Sequence, residues 1–309
     1  MARALTISAR GESPTVSETP SPEPGPGQVR VAVQAASVNG IDAYVAAGYV
    51  WDSMPHRFPV VLGRDFAGTV EAVGTGVTRV RVGDLVAGVV TGMDLYLGVI
   101  AEHVVVDEDG VVAVPDGVTA VQAAALGLAG VSARDMVDAL SLTTDDVVLI
   151  SGATGGVGAL GVQLAAATGA TVLATARPDA AEFVRGLGAH TVVDHTEDVA
   201  AAVAAAAPDG VTAVAHAAGD AAALAKALRP GGRLASLLGA TAEQVGRDDI
   251  TVTPVGAQFT PEKLRALLDA VAAGQLQVPV AQTFSLDDAT RALGAFGEPK
   301  KGKLVITLD

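Results

Sequence analysis

Gly152, Gly155, Gly156 and Gly158 stand within seven residues of one another, directly after the apolar run Val147-Val148-Leu149-Ile150-Ser151 and before the helical pattern Leu160, Val162, Gln163, Leu164 and Ala165 to Ala167. This is the order of a strand, a tight turn and a helix N-terminus. Such a turn binds phosphate, because glycines let the backbone come close to a pyrophosphate and the unpaired N–H groups at the helix start stabilise its charge. A glycine-rich turn can also serve close packing alone. The residues beyond the helix decide between them: a second β-branched run at Thr171 to Thr175 completes one strand-helix-strand unit of the length a dinucleotide fingerprint needs. Gly152, Thr154, Gly155, Gly156, Val157 and Gly158 are therefore expected to hold a dinucleotide.

The end of the second strand bears on which dinucleotide. NAD-specific folds place an Asp or Glu there to bind the ribose 2'-hydroxyl. Here the strand continues Thr175-Ala176-Arg177-Pro178, and the first carboxylate, Asp179, comes only after the proline. A small residue followed by Arg177 leaves room and charge for a 2'-phosphate, so NADPH is expected rather than NADH; the alternative is that Arg177 is a solvated helix-start arginine. Ala217-Ala218-Gly219 and Leu238-Gly239-Ala240 end the fourth and fifth strands, where ligands gather at the carboxyl edge of a parallel sheet. Their backbone is expected to face the nicotinamide ribose and carboxamide.

These residues need a scaffold, and the chain of 309 residues is long enough for two lobes. Half of it is apolar but only 3% is aromatic, so its cores must be built from Ala, Val and Leu. No apolar run has the length of a membrane span, and the start lacks the apolar stretch of a signal peptide, so a cytoplasmic location is expected. The net charge of -14 argues against nucleic acid and anionic membrane surfaces as partners. The absence of cysteine excludes disulfides, thiol nucleophiles, iron-sulfur clusters and Cys-based zinc sites.

Up to about residue 119 the chain reads as short alternating strands, Ala4 to Ile7, Gln28 to Val33, Gly68 to Val73, Leu85 to Val90 and His103 to Val106, separated by Pro/Gly-rich punctuation. From Ala120 a helical stretch to Leu140 gives way to alternating strands and helices, with strands expected at Val147 to Ile150, Thr171 to Thr175, Thr191 to Asp194, Val211 to His216 and Arg233 to Leu238. That alternation predicts a parallel sheet covered by helices. The expected organisation is a β-rich domain over 1–119, completed by 255–309, and a doubly wound α/β domain over 120–254.

A resemblance covers nearly the whole chain. Phe58-Pro59-Val60-Val61-Leu62-Gly63-Arg64-Asp65-Phe66-Ala67-Gly68-Thr69-Val70-Glu71-Ala72-Val73-Gly74 and Val82-Gly83-Asp84-Leu85-Val86 resemble the GroES-like domain of medium-chain dehydrogenases/reductases. Ala36 to Asp42, Ala101 to Val104, Pro115 to Val118, Leu228 to Arg233 and Gly302 to Val305 match in order and spacing, and within the superfamily the chain is similar to the zinc-independent quinone oxidoreductases related to zeta-crystallin. The resemblance implies a GroES-like catalytic domain joined to a Rossmann domain, and a homodimer formed through the edge of the nucleotide-binding sheet. Zinc-dependent members carry a cysteine near Asn39 and Gly-His-Glu where this chain has Gly63-Arg64-Asp65. His190 and His195, the closest histidine pair in sequence, do not make a zinc site. Without a Lewis-acid metal, alcohol oxidation loses its alkoxide stabiliser, whereas hydride delivery to an electrophilic quinone or enone needs positioning, a hydrogen-bond donor and a proton.

Carried over residue by residue, the resemblance places His195 against the adenosine phosphate end, gives Ser132 the place of a cofactor-contacting Thr, and sets Asn39, Asp42 and Tyr44 beside the nicotinamide. Asn39 and Tyr44 could donate to a developing oxyanion; Asn-Gly-Ile-Asp is also a turn sequence, and solvent remains as a proton source. Departures from the family are Ala46 in place of an Arg, Val50 in place of an aromatic, His216 in place of an Asp, and Gly127 in place of a Pro. His216 is read as a hydrogen-bonded structural residue, with a pocket role as the alternative. The stretch from Tyr49 to Phe58 holds an unusual share of the aromatics and either borders a flat apolar acceptor or packs on its own core. Three functions compete: NADPH-dependent quinone reduction, enoyl or alkenal reduction on the same scaffold, and NADPH binding without turnover. A short-chain dehydrogenase is excluded, since none of Tyr44, Tyr49 and Tyr96 begins a Tyr-x-x-x-Lys pair.

Overall fold

The computed structural model describes residues 1–92, 95 and 97–308. Tyr96 thus lies outside the described residues. The chain divides into two compact units: Met1–Leu128 with Phe259–Pro299 and Lys303–Asp309, and Ala129–Gln258 with Lys300–Gly302.

In the first unit, alternating apolar residues form strands β1 (Ala2–Ile7), β2 (Thr15–Thr19), β3 (Gln28–Ser37), β4 (Val60–Val61), β5 (Asp65–Val73), β6 (Leu85–Val89), β7 (His103–Asp107) and β8 (Val111–Ala113). Along β3 the period of two is plain, with Val29, Val31 and Val33 buried and Arg30, Ala32 and Gln34 less so. β1 pairs antiparallel with β2 and β4, while β3, β5, β6 and β8 form an antiparallel run with β7 also paired to β3. A short helix, α1 (Gly40–Ala46), comes directly after β3. The Tyr49 to Phe58 stretch packs on this unit's own core: Trp51 is buried there, and Val50, Met54 and Phe58 lie against it.

Helix α2 (Ala120–Leu140) precedes the second unit's strands, and the division between units falls inside it, after Leu128. The second unit holds β9 (Val147–Ile150), β10 (Thr171–Thr175), β11 (Thr191–Val193), β12 (Val211–His216), β13 (Leu228–Ser236) and β14 (Thr251–Pro254), with helix α3 (Gly156–Ala166) after β9. All pair in parallel, in the order β11-β10-β9-β12-β13-β14. That is the Rossmann order, and the chain's direction of travel across the sheet reverses between β9 and β12. Both faces are covered. Val148 and Ile150 enter one apolar cluster, rich in alanine and valine, and Leu149 enters the other, rich in leucine and valine.

β15 (Val280–Ser285) and β16 (Lys303–Thr307) then extend the first unit's larger sheet through β3. Strands β2, β4, β8 and β14 were not expected from the sequence, and the bounds of several others differ from the sequence reading. β13 starts at Leu228 and stops at Ser236, not Leu238, because the Ser236 hydroxyl accepts the amides of Leu238 and Ala240 and turns the chain out of the sheet. β14 carries no apolar pattern, being a half-exposed edge strand ending in Pro254. Among the described residues no helix is long and apolar enough to cross a membrane.

Candidate functional site

The turn after β9 shows what each glycine is for. Gly152 has φ +70°, and its Cβ would meet that of Ala218 at 2.9 Å. A Cβ on Gly158 would lie 2.1 Å from the Gly152 carbonyl oxygen, so this glycine is demanded by packing of helix against turn. Gly155 is different. Its Cβ would meet only the Gly152 oxygen, at an ordinary 3.4 Å, and otherwise stand in open space. Gly155 is also the N-cap of α3, and no side chain caps that helix. The first-turn amides, at Gly156, Val157 and Gly158, lack intrahelical acceptors and carry the positive end of the dipole. The donor set and the open cradle fit a pyrophosphate.

Around this turn, Thr175 at the end of β10 is buried, and its hydroxyl accepts the Gly152 amide at 3.1 Å. It braces the turn and does not present itself to a ligand. Ala176 is buried, whereas Arg177 is exposed, its Nε 4.0 Å from Asp179. The segment Lys300–Gly302 comes back to the same place: the Gly302 amide donates to Thr154 O at 2.7 Å, and the Lys301 ammonium donates to Asp179 O at 2.9 Å. Two cations therefore flank the Pro178-Asp179 corner. Lys301 was not among the candidates read from the sequence; the short lysine cluster Lys300, Lys301 and Lys303 was visible there, but only the fold shows where it lands. His195 is exposed on the loop after β11 beside Asp194, whose carboxyl is held below its ordinary value by the Thr196 amide and hydroxyl, with smaller contributions from His195 and Arg177. Ser132 is half-buried on α2.

At the ends of β12 and β13, Ala218 and Gly219 are exposed, as are Leu238 and Gly239, and both glycines have positive φ, +86° and +74°. His216, by contrast, is buried and hydrogen-bonded at both ring nitrogens. That is the structural reading of this residue.

In the first unit, the β3 to α1 corner is built on buried charge. Asp42, in the first turn of α1, accepts the Asn39 amide at 2.8 Å and the Gly63 amide at 3.0 Å, one on each oxygen. Asn39 gives its amide hydrogens to Ser37 O and to Asp65, at 3.2 and 2.8 Å, and its oxygen accepts from the Lys303 ammonium at 2.7 Å. Lys303 also donates to Val38 O at 2.8 Å. Asp65 is fully buried and accepts in addition the Ser37 hydroxyl and the Leu128 amide. Burial pushes the Asp42 carboxyl up to about 6, with the charge of Asp65 adding to the rise and the two amides and Lys303 opposing it. Burial pulls the Lys303 ammonium down, against the two carboxylates.

This geometry changes the roles expected from the sequence. Asn39 has both amide hydrogens committed and Asp42 is buried with a backbone amide on each oxygen, so in this structure both side chains fix the corner. Tyr44 is 52% exposed and meets the Tyr49 ring edge-on at 6.0 Å, so its hydroxyl is open to a ligand. The same residues do not fit zinc. Asn39 presents hydrogens, Arg64 is a cation whose guanidinium donates to Gly92 O, and the cation held at this corner is an ammonium. Among the described residues no three His, Asp or Glu side chains come together as metal ligands.

A largely antiparallel first unit and a Rossmann second unit with an open glycine turn have the two-unit architecture of a nucleotide-dependent dehydrogenase. Family models agree: the alcohol dehydrogenase GroES-like domain matches residues 25–116 and the zinc-binding dehydrogenase domain matches residues 187–306. The quinone oxidoreductase structure from Coxiella burnetii superposes with a TM-score of 0.89 at 29% identity, over 100% of this chain and 99% of that one. The chloroplast envelope quinone oxidoreductase homolog of Arabidopsis thaliana is 34% identical over 192 residues, 60% of this chain and 58% of its own length. A phthioceranic/hydroxyphthioceranic acid synthase of Mycobacterium bovis is 34% identical over 90% of this chain, which spans only 14% of that synthase. An alcohol dehydrogenase superfamily protein from Novosphingobium aromaticivorans is 31% identical over 100% of both chains, with a TM-score of 0.87, and the chain belongs to that medium-chain dehydrogenase/reductase superfamily.

Proposed function

We propose that this protein uses NADPH to reduce quinones or similar electrophilic carbonyl acceptors without a metal. The observation that carries the proposal is the turn after β9, where Gly155 leaves open space above an uncapped helix start at the switch point of the sheet. A bound reduced nicotinamide would supply hydride to the acceptor. The chain's own part is to hold it: Gly155, Gly156, Val157 and Gly158 would take the pyrophosphate, with Gly152 and Thr154 shaping the turn. Ala218, Gly219, Leu238 and Gly239 would line the nicotinamide half, with Ser132 a further contact. His195 would lie at the adenosine phosphate end. Arg177, with Lys301 bonded to the same corner, supports a 2'-phosphate. On the acceptor side Tyr44 is the donor proposed, with water as the proton source if it is dispensable.

The mycobacterial synthase alignment favours a second reading. A synthase that builds acyl chains has use for reduction of an α,β-unsaturated acyl group, and that acceptor differs from a quinone only in what surrounds the electrophilic carbon. Steady-state turnover of a panel of quinones and enones with NADPH and NADH tests both. Quinone turnover at the higher kcat/KM supports the first reading, and enone turnover at the higher kcat/KM supports the second. Tight NADPH binding without oxidation by any acceptor would leave a binding protein.

A further inference from the structure

Four buried polar side chains end four adjacent strands of the second unit's sheet: Thr175 on β10, Ser151 directly after β9, His216 on β12 and Ser236 on β13. Each is at most 4% exposed. Each also clamps loop backbone at the carboxyl edge. The Thr175 hydroxyl accepts the Gly152 amide, and the Ser151 hydroxyl accepts the amides of Ala217 and Ala218 at 3.0 and 3.2 Å. The Ser236 hydroxyl accepts the amides of Leu238 and Ala240 at 3.2 and 3.0 Å and lies 2.9 Å from His216 Nδ1. His216 Nε2 lies 3.0 Å from Gly219 O.

The hydrogen inventory admits one arrangement. Gly219 O can only accept, so Nε2 carries the ring hydrogen and donates it. Nδ1 is then an acceptor, and it takes the single Ser236 hydroxyl hydrogen, while the two lone pairs of Ser236 hold the two amides. An unbroken chain thus runs from Gly219 through the imidazole and the hydroxyl to Leu238 and Ala240. It ties the loop after β12 to the loop after β13.

Those loops have a place in the proposed function, on which this inference rests. With the pyrophosphate at the turn after β9 and the adenosine ribose beside the end of β10, the other half of a dinucleotide must cross to β12 and β13. We propose that His216 and Ser236 are positioning residues for the nicotinamide half: by fixing the spacing of the 217–219 and 237–240 loops they set the affinity of that half alone. The adenosine half is held elsewhere, by the Thr175-braced turn, and does not depend on them.

Two probes separate the halves: NADPH, and 2'-phospho-ADP, which lacks both the nicotinamide and its ribose. In the full chain, Ser236→Ala is expected to weaken NADPH binding about tenfold, as loss of a buried hydrogen-bond hub does, and to leave 2'-phospho-ADP binding within about twofold. Ser236→Thr, which keeps the hydroxyl, is expected to restore NADPH affinity. Equal weakening of both probes, or no weakening of either, would overturn the proposal. Amide hydrogen exchange on the unaltered protein gives a check that needs no variant. NADPH should slow exchange at Ala218, Gly219, Leu238 and Ala240 and 2'-phospho-ADP should not; equal slowing by both overturns the positioning role. A wild-type chain that binds neither probe removes the dinucleotide reading itself, and this inference with it.

Discussion

Replacing Lys303 by Met tests whether the β3 to α1 corner is an electrostatic construction. Methionine roughly keeps the volume, so cavity formation contributes little. The ammonium-bearing residue is 5% exposed, donates to Val38 O and Asn39, and faces Asp65 and Asp42. Removing one partner from a buried ionic cluster costs about 3–5 kcal/mol, a large part of the roughly 5–15 kcal/mol by which domains are stable. The pH dependence gives the sharper test. Asp42 rises from 3.8 to about 6 on folding, so its ionisation opposes the native state by about 3 kcal/mol at neutral pH. A raised folded value means that the native state gains relative stability as pH falls through about 6 and holds that gain below 3.8. Without the opposing ammonium, Asp42 should move higher still. Urea unfolding of wild type and variant should therefore show a smaller difference at pH 5 than at pH 7.5. A difference below about 1 kcal/mol at pH 7.5, or the same difference at both pH values, would refute the reasoning.

Other perturbations act on the same geometry. Gly158→Ala forces a Cβ to 2.1 Å from a backbone oxygen and is expected to lose both dinucleotide binding and stability in a thermal melt, whereas Gly155→Ala should melt near wild type yet bind NADPH roughly tenfold more weakly, the effect of about 1.4 kcal/mol. Unchanged affinity in Gly155→Ala would argue against the cradle. Arg177→Glu is expected to turn an NADPH preference into an NADH preference in kcat/KM; a wild type that already prefers NADH by about tenfold ends that assignment. Tyr44→Phe should lower kcat by about a hundredfold if the hydroxyl stabilises the reduced acceptor, and full turnover would leave water as the donor. Sedimentation is expected to show a dimer, and a 30.7 kDa species would contradict that.

The sequence alone was enough for the fold class, because its signals are local and periodic. Val147 to Ile150, the glycines after it and Thr171 to Thr175 describe a strand, turn and strand whatever surrounds them, and the missing cysteines remove whole classes of chemistry without reference to geometry. Edge elements such as β14 left no trace, since a half-exposed strand of four residues has no pattern to show. Side-chain roles were the hardest to read. Asn39 and Asp42 have types suited to a ligand, but whether a buried polar group faces a substrate or its neighbours depends on partners far along the chain, Lys303 and Asp65 among them. His216 became intelligible only when the parallel sheet set it beside Ser236, twenty residues away. Local spacing determines which backbone can form; hydrogen-bond partners are distributed by the tertiary fold, and that distribution decides which of the candidate residues remain available for chemistry.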